Sequence, residues 1–227
     1  IVNYIENYFC KKKSLSNKKI LITAGPTYEK IDPVRFIGNY SSGKMGFALA
    51  EECAQRGALV TIITGPVELK TSHPNISRID IESAEEMYNA TIEKFNTSDA
   101  VILCAAVADF TPTTKANAKI KREKENLVLE LKPTQDIAAA LGKIKKAQKL
   151  IGFALETNNE EANAIEKIKR KNLDFIILNS LNDKNAGFRF DTNKISIIDK
   201  KGEKKVFELK SKKLVAKDII DRLEKEF

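Results

Sequence analysis

The stretch of sequence that decides the fold is Asn39-Tyr40-Ser41-Ser42-Gly43-Lys44-Met45-Gly46. Before it, residues 19–24 are predicted to form a buried strand, and after it the apolar spacing of residues 43–56 predicts a helix. A small-residue loop that leads into a helix leaves backbone N–H groups pointing outward, and the helix dipole adds positive charge there. Residues 41–46 are therefore a candidate phosphate pocket. The chain begins like a nucleotide-binding α/β domain.

The glycine spacing separates this loop from two familiar phosphate-binding motifs. It contains only Gly43 and Gly46, so the G-x-G-x-x-G pattern of dinucleotide-binding domains is missing. Lys44 does not stand in a G-x-x-x-x-G-K-[ST] motif either. The loop chemistry alone leaves two interpretations open, a phosphate site and a tight helix start.

Composition limits the class of protein. The chain has 227 residues, 42% of them hydrophobic, which is enough for the core of one α/β domain. No window approaches about 18 uninterrupted apolar residues, so no membrane partner is expected. The three cysteines (Cys10, Cys53 and Cys104) lack C-x-x-C spacing, which indicates reduced thiols and a cytoplasmic location. The single histidine, His73, argues against a histidine-based zinc site or a Ser-His-Asp triad.

The net charge of +8 raises nucleic-acid binding as one interpretation. The lysines, however, are spread over many segments and form no basic stripe interleaved with aromatic residues. A local basic pocket for a small anionic substrate explains the charge equally well, and we expect no nucleic-acid partner.

Apolar runs alternate with amphipathic segments along the chain. Strands are predicted at residues 19–24, 59–64, 76–81, 99–107, 127–132, 149–155 and 174–179. Helices are predicted at residues 43–56, 83–96, 135–147, 160–171 and 211–225. The alternation predicts an α/β fold, with a Rossmann-like, mostly parallel sheet and helices on both faces. Residues 194–199 and 205–209 predict an antiparallel C-terminal hairpin.

Two segments stand apart from this pattern. Residues 1–18 contain a lysine-rich linker and are interpreted as a stub from a preceding domain, with residues 19–227 as the functional domain. Residues 111–126, called the flap below, are strongly hydrophilic and rich in lysine and arginine. A loop of this length in a compact domain is usually functional or disordered, so we interpret the flap as mobile.

The ends of the predicted strands supply candidate site residues, because ligands bind at the carboxyl ends of open α/β sheets. Asp109 follows a run of small residues that allows a flat ring to approach, although it also suits a turn or helix cap. Lys119 lies in the flap, and Lys167 and Lys171 share a helix face; each is either a phosphate-binding group or a solvated charge. The sequence offers no cluster of metal ligands. These candidate residues suit a site that neutralises a polyphosphate while a nucleophile from another substrate attacks that polyphosphate.

Six segments together resemble one known family. They are residues 20–27, 31–37, 39–46, 105–110, 119–121 and 152–157, in that order. In these segments the chain is similar to the phosphopantothenoylcysteine synthetase domain of bacterial bifunctional coenzyme A biosynthesis enzymes, over residues 19–227. The stub resembles the junction from the flavin-dependent decarboxylase domain that precedes it in that family. The resemblance therefore implies a decarboxylase domain in the full-length chain and no flavin site here.

The resemblance implies a CTP-dependent ligase. The carboxylate of 4′-phosphopantothenate would attack the α-phosphate of CTP, pyrophosphate would leave, and an acyl-cytidylate would form. The amine of L-cysteine would then displace CMP. Mg²⁺ is expected to accompany the triphosphate, and a homodimer is expected in which the flap or the C-terminal strands join the subunits.

The resemblance also implies roles for individual residues. Asn39 would hold the acyl-cytidylate, Ser41–Gly46 would shape the neighbouring substrate pocket, and Lys119 would close over the site. The residues expected to contact CTP are Cys104, Ala105, Asp109, Lys119, Gln135, Asp136, Ile137, Ala138, Phe153, Lys167 and Lys171. Gln135 is a departure, since the family often has Pro at this position.

Two other functions stay open on the residues alone. A Rossmann-type NAD(P)-dependent oxidoreductase is disfavoured because the glycine fingerprint is missing and Thr64-Gly65-Pro66 stands where a ribose-binding acid is expected. A binding-only basic module would leave the small-residue run before Asp109 and the flap unexplained.

Overall fold

A computed structural model describes residues 13–122, 126–156, 160–180 and 190–227. Their strands are β1 Lys19–Ala24, β2 Tyr28–Lys30, β3 Phe36–Gly38, β4 Leu59–Thr64, β5 Ile76–Asp80, β6 Ala100–Leu103, β7 Phe110–Pro112, β8 Leu131–Pro133, β9 Lys149–Glu156, β10 Phe175–Ser180, β11 Thr192–Asn193, β12 Ile195–Asp199, β13 Lys204–Val206 and β14 Lys210–Ser211. Their helices are α1 Lys44–Gln55, α2 Ala84–Phe95, α3 Ile137–Ile144, α4 Glu160–Arg170 and α5 Lys212–Glu224.

Six parallel strands form most of an eight-stranded sheet, in the order β5-β4-β1-β6-β9-β10. The chain moves outward from β1 to β5 and then returns to place β6 on the other side of β1. The strand order therefore reverses between β1 and β6, as in doubly wound nucleotide-binding folds. Strands β12 and β13 continue the sheet in antiparallel fashion beyond β10. The predicted fold class and C-terminal hairpin are confirmed.

Helices cover both faces of the sheet because its strand residues alternate between two apolar cores. Along β1, Ile20 and Ile22 pack in the core that contains α1 and α5. Leu21 packs in the opposite core, with residues of α2, α3 and α4. Each fully buried aliphatic side chain contributes about 1.5–3 kcal/mol. This double burial fixes the strand ends from which the site is built.

Two predicted strands differ strongly in extent from those in the structure. The strand predicted at 99–107 ends at Leu103, because its neighbour β1 turns at Gly25, where φ is 72°. Beyond that turn only an isolated bridge joins Pro26 to Ala106. The strand predicted at 127–132 is wrong in extent and in place. Only Leu131–Pro133 pairs, and its partner is β7, outside the main sheet. The apolar residues 127–129 are exposed instead.

The β2–β3 hairpin is a feature that the sequence did not predict. The rings of Tyr28 and Phe36 stack with their centroids 3.8 Å apart. The buried carboxylate of Glu29 accepts the backbone N–H of Ala84, at the start of α2, at 2.8 Å. Tertiary contacts therefore hold strands that have only three residues each.

The boundary at residue 18 stays a prediction, since residues 1–12 lie outside the described ranges. Leu15 belongs to the predicted stub, yet its side chain is fully buried and its N–H donates to the carbonyl of Arg56 at 3.0 Å. Among the described residues, no helix combines the length and apolarity needed to cross a membrane.

Candidate active site

The candidate site lies at the carboxyl ends of β1, β6, β9 and β10, where the strand order reverses and opens a crevice. Two cavities adjoin there. The loop cavity has a volume of about 160 Å³ and is lined in part by residues 41–46. The sheet-end cavity, about 510 Å³, lies beside it. The two cavities share one wall, formed by Ala105, Ala106, Phe153, Ala154 and Leu155.

The loop cavity is built around the beginning of α1. Gly43 is the N-cap, and its φ of 75° is a left-handed conformation that favours glycine. No side chain caps this helix, and no acidic residue lies in its first turn. At Gly46, a Cβ atom would lie 2.5 Å from the Cβ of Ala24, so only glycine lets the helix approach β1 this closely. The N–H groups and dipole of α1 therefore face the cavity as an anion site requires.

Lys212 and Asn193 also line the loop cavity, and the sequence did not single them out. Lys212 begins α5 and is only 8% exposed. Burial, together with the charge of Lys44, lowers the pKa of the Lys212 ammonium group. The Nδ2 of Asn193 donates to the Oδ1 of Asn179 at 3.3 Å, which joins two strand ends at the cavity. An anion in this cavity would offset the unfavourable burial of the lysine charge.

Lys44 and Cys104, both predicted site residues, line the loop cavity as well. The ammonium group of Lys44 forms an ion pair with Asp191 at 2.7 Å. Burial raises the pKa of the Cys104 thiol to about 12, although the charge of Lys212 opposes the rise. Cys104 is therefore a neutral thiol at pH 7 and contributes shape rather than a nucleophile.

The shared wall is held in place by residues of β1 and the turn after it. The N–H of Cys104 donates to the carbonyl of Thr23 at 3.2 Å, and the N–H of Ala105 donates to the Thr23 hydroxyl at 3.3 Å. The N–H of Ala106 donates to the carbonyl of Gly25 at 2.9 Å. These bonds fix Ala105 and Ala106, whose methyl groups, with that of Ala154, form the small-residue part of the wall between the larger Phe153 and Leu155. Two ligands can come close across the alanine part.

The sheet-end cavity brings together nearly all of the residues predicted to contact CTP. They are Ala105, Asp109, Gln135, Asp136, Ile137, Ala138, Phe153, Lys167 and Lys171. These residues come from four separate parts of the sequence, which the fold gathers around one cavity. Their assignment to CTP stays a prediction, whereas their proximity is a property of the structure.

Asp136 organises one side of this cavity. Its carboxylate caps α3 by accepting the N–H of Ala139 at 3.0 Å, and it pairs with Lys171 at 3.0 Å. Burial alone would raise the pKa of Asp136, but these two partners hold it below its ordinary value. Lys171 is thereby fixed at the cavity wall, and a polyphosphate would compete with Asp136 for it.

Asn39 lies beside the shared wall. Its side-chain amide donates to the carbonyls of Ala106 and Val107, at 3.0 and 3.3 Å. Both N–H bonds of the amide are therefore used within the protein, and the side-chain oxygen is the group left to meet a ligand.

Of the predicted site residues, Asn39 and Lys119 line neither cavity, although Asn39 is hydrogen-bonded to the shared wall. Lys119 is exposed. Its side chain forms no ion pair with another described residue. Any role in the chemistry would require the long Lys119 side chain to extend from the flap toward the site.

The comparison with known proteins agrees with the family indicated by the motifs. Residues 15–227 match the family described as the DNA/pantothenate metabolism flavoprotein C-terminal domain. The chain is 54% identical over 228 residues to a protein named cysteine/cysteine sulfinic acid decarboxylase, from an unknown prokaryotic organism. It is 44% identical over 225 residues to the coenzyme A biosynthesis bifunctional protein CoaBC of Bacillus subtilis (strain 168). Each match covers 98% of this chain, but only 64% and 55% of the respective relative.

A solved structure extends the likeness to the fold. The crystal structure of the C-terminal domain of a coenzyme A biosynthesis bifunctional protein CoaBC superposes with a TM-score of 0.80 at 40% identity. The match covers 93% of this chain and 96% of that one. The family and the fold are therefore shown for this chain, which spans between half and two thirds of the length of the two curated relatives above.

Proposed function

Because the chain belongs to the DNA/pantothenate metabolism flavoprotein C-terminal domain family, we propose that it is a ligase that joins 4′-phosphopantothenate to L-cysteine in coenzyme A biosynthesis. CTP is the proposed activating nucleotide. The observation that carries the proposal is the adjacency of two cavities across one shared wall, three of whose five residues are alanines. One cavity suits a phosphorylated acid and the other suits a nucleoside triphosphate.

The proposed reaction has two steps, since a carboxylate is a poor acceptor for an amine. With 4′-phosphopantothenate in the loop cavity and CTP in the sheet-end cavity, the carboxylate attacks the α-phosphate across the shared wall. Pyrophosphate leaves, and a mixed anhydride forms. The cysteine amine then attacks the acyl carbon, and CMP leaves. Proximity supplies much of the rate, because both reactants are held in one orientation.

The lysines of the two cavities have separate proposed tasks. Lys167 and Lys171 neutralise the triphosphate in the sheet-end cavity, while Lys212 and the N–H groups of α1 hold the phosphate of 4′-phosphopantothenate. Lys119 approaches from the flap and offsets the negative charge that develops on the phosphate oxygens. Asn39 holds the loop against the shared wall and presents its side-chain oxygen to the intermediate.

Mg²⁺ is the proposed metal partner of the triphosphate. No group of three or more histidine, cysteine or acidic side chains is suited to a metal within the ranges that the structure describes. Mg²⁺ commonly uses one or two carboxylates together with substrate phosphates, and Asp109 is a carboxylate at the sheet-end cavity. Asp109 with the triphosphate therefore fits the ion, which would offset phosphate charge.

We further propose a homodimer formed through the β2–β3 and β7–β8 hairpins. Large apolar side chains are exposed there: Val34, Phe36, Tyr40, Phe110, Leu127, Val128, Leu129 and Leu131. A patch of this kind on a soluble domain usually marks an interface. Sedimentation of Val128→Glu should give a monomer where the unmodified protein gives a dimer; a monomeric unmodified protein would refute the dimer. Both curated relatives are longer than this chain, and one is named a decarboxylase and the other a bifunctional protein, which supports a decarboxylase domain elsewhere in the full-length protein.

Pyrophosphate release tests the proposed function. The protein would be incubated with 4′-phosphopantothenate and CTP, ATP or no nucleotide, each with and without cysteine. Release that requires 4′-phosphopantothenate and prefers CTP is the expected result. Release of CO₂ from cysteine or cysteine sulfinate without pyrophosphate would instead favour the activity named for the 54% identical relative.

A further inference from the structure

Asp32 is a buried carboxylate in the turn between β2 and β3, and its hydrogen bonds reach beyond that turn. Its Oδ1 accepts the backbone N–H groups of Val34 and Arg35, both at 2.8 Å. Its Oδ2 accepts the Arg35 guanidinium at 2.5 and 3.0 Å and the N–H of Ile120, in the flap, at 3.1 Å. The Asp32 side chain has no exposed surface. Five hydrogen bonds to one ionised carboxylate make a strong anchor.

The flap is held to this turn at two residues. The carbonyl of Ile120 accepts a bond from Arg35 Nη2 at 2.7 Å, so both backbone groups of Ile120 are bound by the Asp32–Arg35 pair. The N–H of Ala116 donates to the carbonyl of Ile31 at 2.9 Å. Ile120 is half-buried, whereas its neighbours Lys119 and Lys121 are exposed. The backbone of the flap is thus fixed immediately beside the lysine that the proposed reaction uses.

The turn is itself fixed relative to the shared wall. Strand β3 leads directly into Asn39, whose amide binds the carbonyls of Ala106 and Val107. On the other strand, Glu29 binds the N–H of Ala84. A rigid hairpin therefore connects the wall, where the reactants would meet, with the anchor point of the flap.

We propose that Asp32, acting with Arg35, is a positioning residue that clamps the flap at Ile120 and sets how far Lys119 reaches toward the shared wall. This proposal rests on the proposed ligase function. Asp32 touches no substrate in it; the carboxylate acts through the backbone of Ile120.

Trypsin cleavage of the flap tests the clamp. Asp32→Asn keeps an oxygen for the N–H groups of Val34 and Arg35, but its amide nitrogen cannot accept from Ile120. Cleavage after the flap residues Lys115, Lys119, Lys121 and Arg122 should become about tenfold faster, because local opening is easier. Glu82→Gln is the matched control: it breaks an ion pair with Lys30 on the same hairpin and should leave cleavage unchanged. Equal cleavage in all three proteins would overturn the clamp.

A double-mutant cycle with Lys119→Gln tests the positioning role. Asp32→Asn should lower kcat for pyrophosphate release about tenfold when Lys119 is present, but less than about twofold in the Lys119→Gln background. The same fold-loss in both backgrounds would overturn the positioning role. Unmodified protein that releases no pyrophosphate would refute the ligase function and with it the positioning role, and the trypsin experiment would still decide whether the clamp exists.

Discussion

Replacing Lys212 with Met is expected to weaken binding of 4′-phosphopantothenate and to leave CTP binding nearly unchanged. Lys212 lines the loop cavity but not the sheet-end cavity. Methionine retains a long apolar stem in the buried position and removes only the charge. The substitution therefore separates the charge of Lys212 from its packing.

The expected magnitude follows from the burial of the charge. Two unit charges about 4 Å apart attract by about 4 kcal/mol at an effective dielectric constant of about 20. Part of this attraction is offset by the cost of burying the ammonium group, which the lowered pKa of Lys212 reflects. A hydrogen bond to a charged group contributes about 1.5–3 kcal/mol net. We therefore expect KM for 4′-phosphopantothenate to rise roughly 10- to 150-fold.

The assay is the initial rate of pyrophosphate release, with each substrate varied in turn. Lys213→Met is the matched control, because it removes the same charge from the exposed neighbouring residue of α5. A similar rise in KM for CTP, or a similar effect of Lys213→Met, would refute the reasoning. Either result would show that overall charge matters and that the position of Lys212 does not.

Three further substitutions test the site and the fold. Asn39→Asp replaces the donors to Ala106 and Val107 with a carboxylate beside two carbonyls, so turnover should fall at least about tenfold; near-normal turnover would remove Asn39 from the mechanism. Gly46→Ala would place a Cβ 2.5 Å from the Cβ of Ala24 and should lower the free energy of unfolding by about 1–3 kcal/mol. An unchanged midpoint in urea titrations would contradict the close packing of α1 on β1. Asp174→Asn would leave the buried Lys145 charge unpaired and should cost about 3–5 kcal/mol, whereas Glu161→Gln, in an exposed pair, should cost less than about 1 kcal/mol. The pKa of Asp174 is below its ordinary value because the lysines and the Leu150 N–H outweigh burial. Its contribution to stability is therefore fully present above the unfolded pKa and is lost as pH falls through the lower folded pKa. Equal acid sensitivity of Asp174→Asn and the unmodified protein would contradict this.

The parallel sheet could be predicted because buried parallel strands are continuous apolar runs. Residues 19–24 and 59–64 form strands with the predicted bounds. Helix α2 begins one residue after its predicted start, because Ser83 caps it by accepting the N–H of Glu86. The β2–β3 hairpin could not be predicted in this way. Its three-residue strands are too short for a periodic pattern, and distant contacts stabilise them.

The candidate site was predictable where its residues follow strands or match a family motif. Lys212 carries no such signal, since a lysine in the first turn of a helix is ordinarily solvated. Its burial depends on the loop cavity, which the α1 loop, β6 and β9 build from remote sequence. The position of Asn193 likewise carries no sequence signal. Asn193 lies just before β12, and the pairing of β12 with the end of β10 brings it to Asn179. Such residues become visible only when the fold is complete.

The distribution of charge around the shared wall explains why the flap should control the proposed reaction. Among the described residues, the lysines that line the two cavities are Lys44, Lys212, Lys167 and Lys171, and none of them belongs to the wall. The wall also has few donors to offer, because the N–H groups of residues 104–106 are bound to Thr23 and Gly25. Both substrates can therefore be held firmly by their phosphates while the junction between carboxylate and α-phosphate stays without a cation. Since Lys119 is the lysine assigned to that junction, the rate should depend on where Ile120 is anchored, and Asp32 provides that anchor.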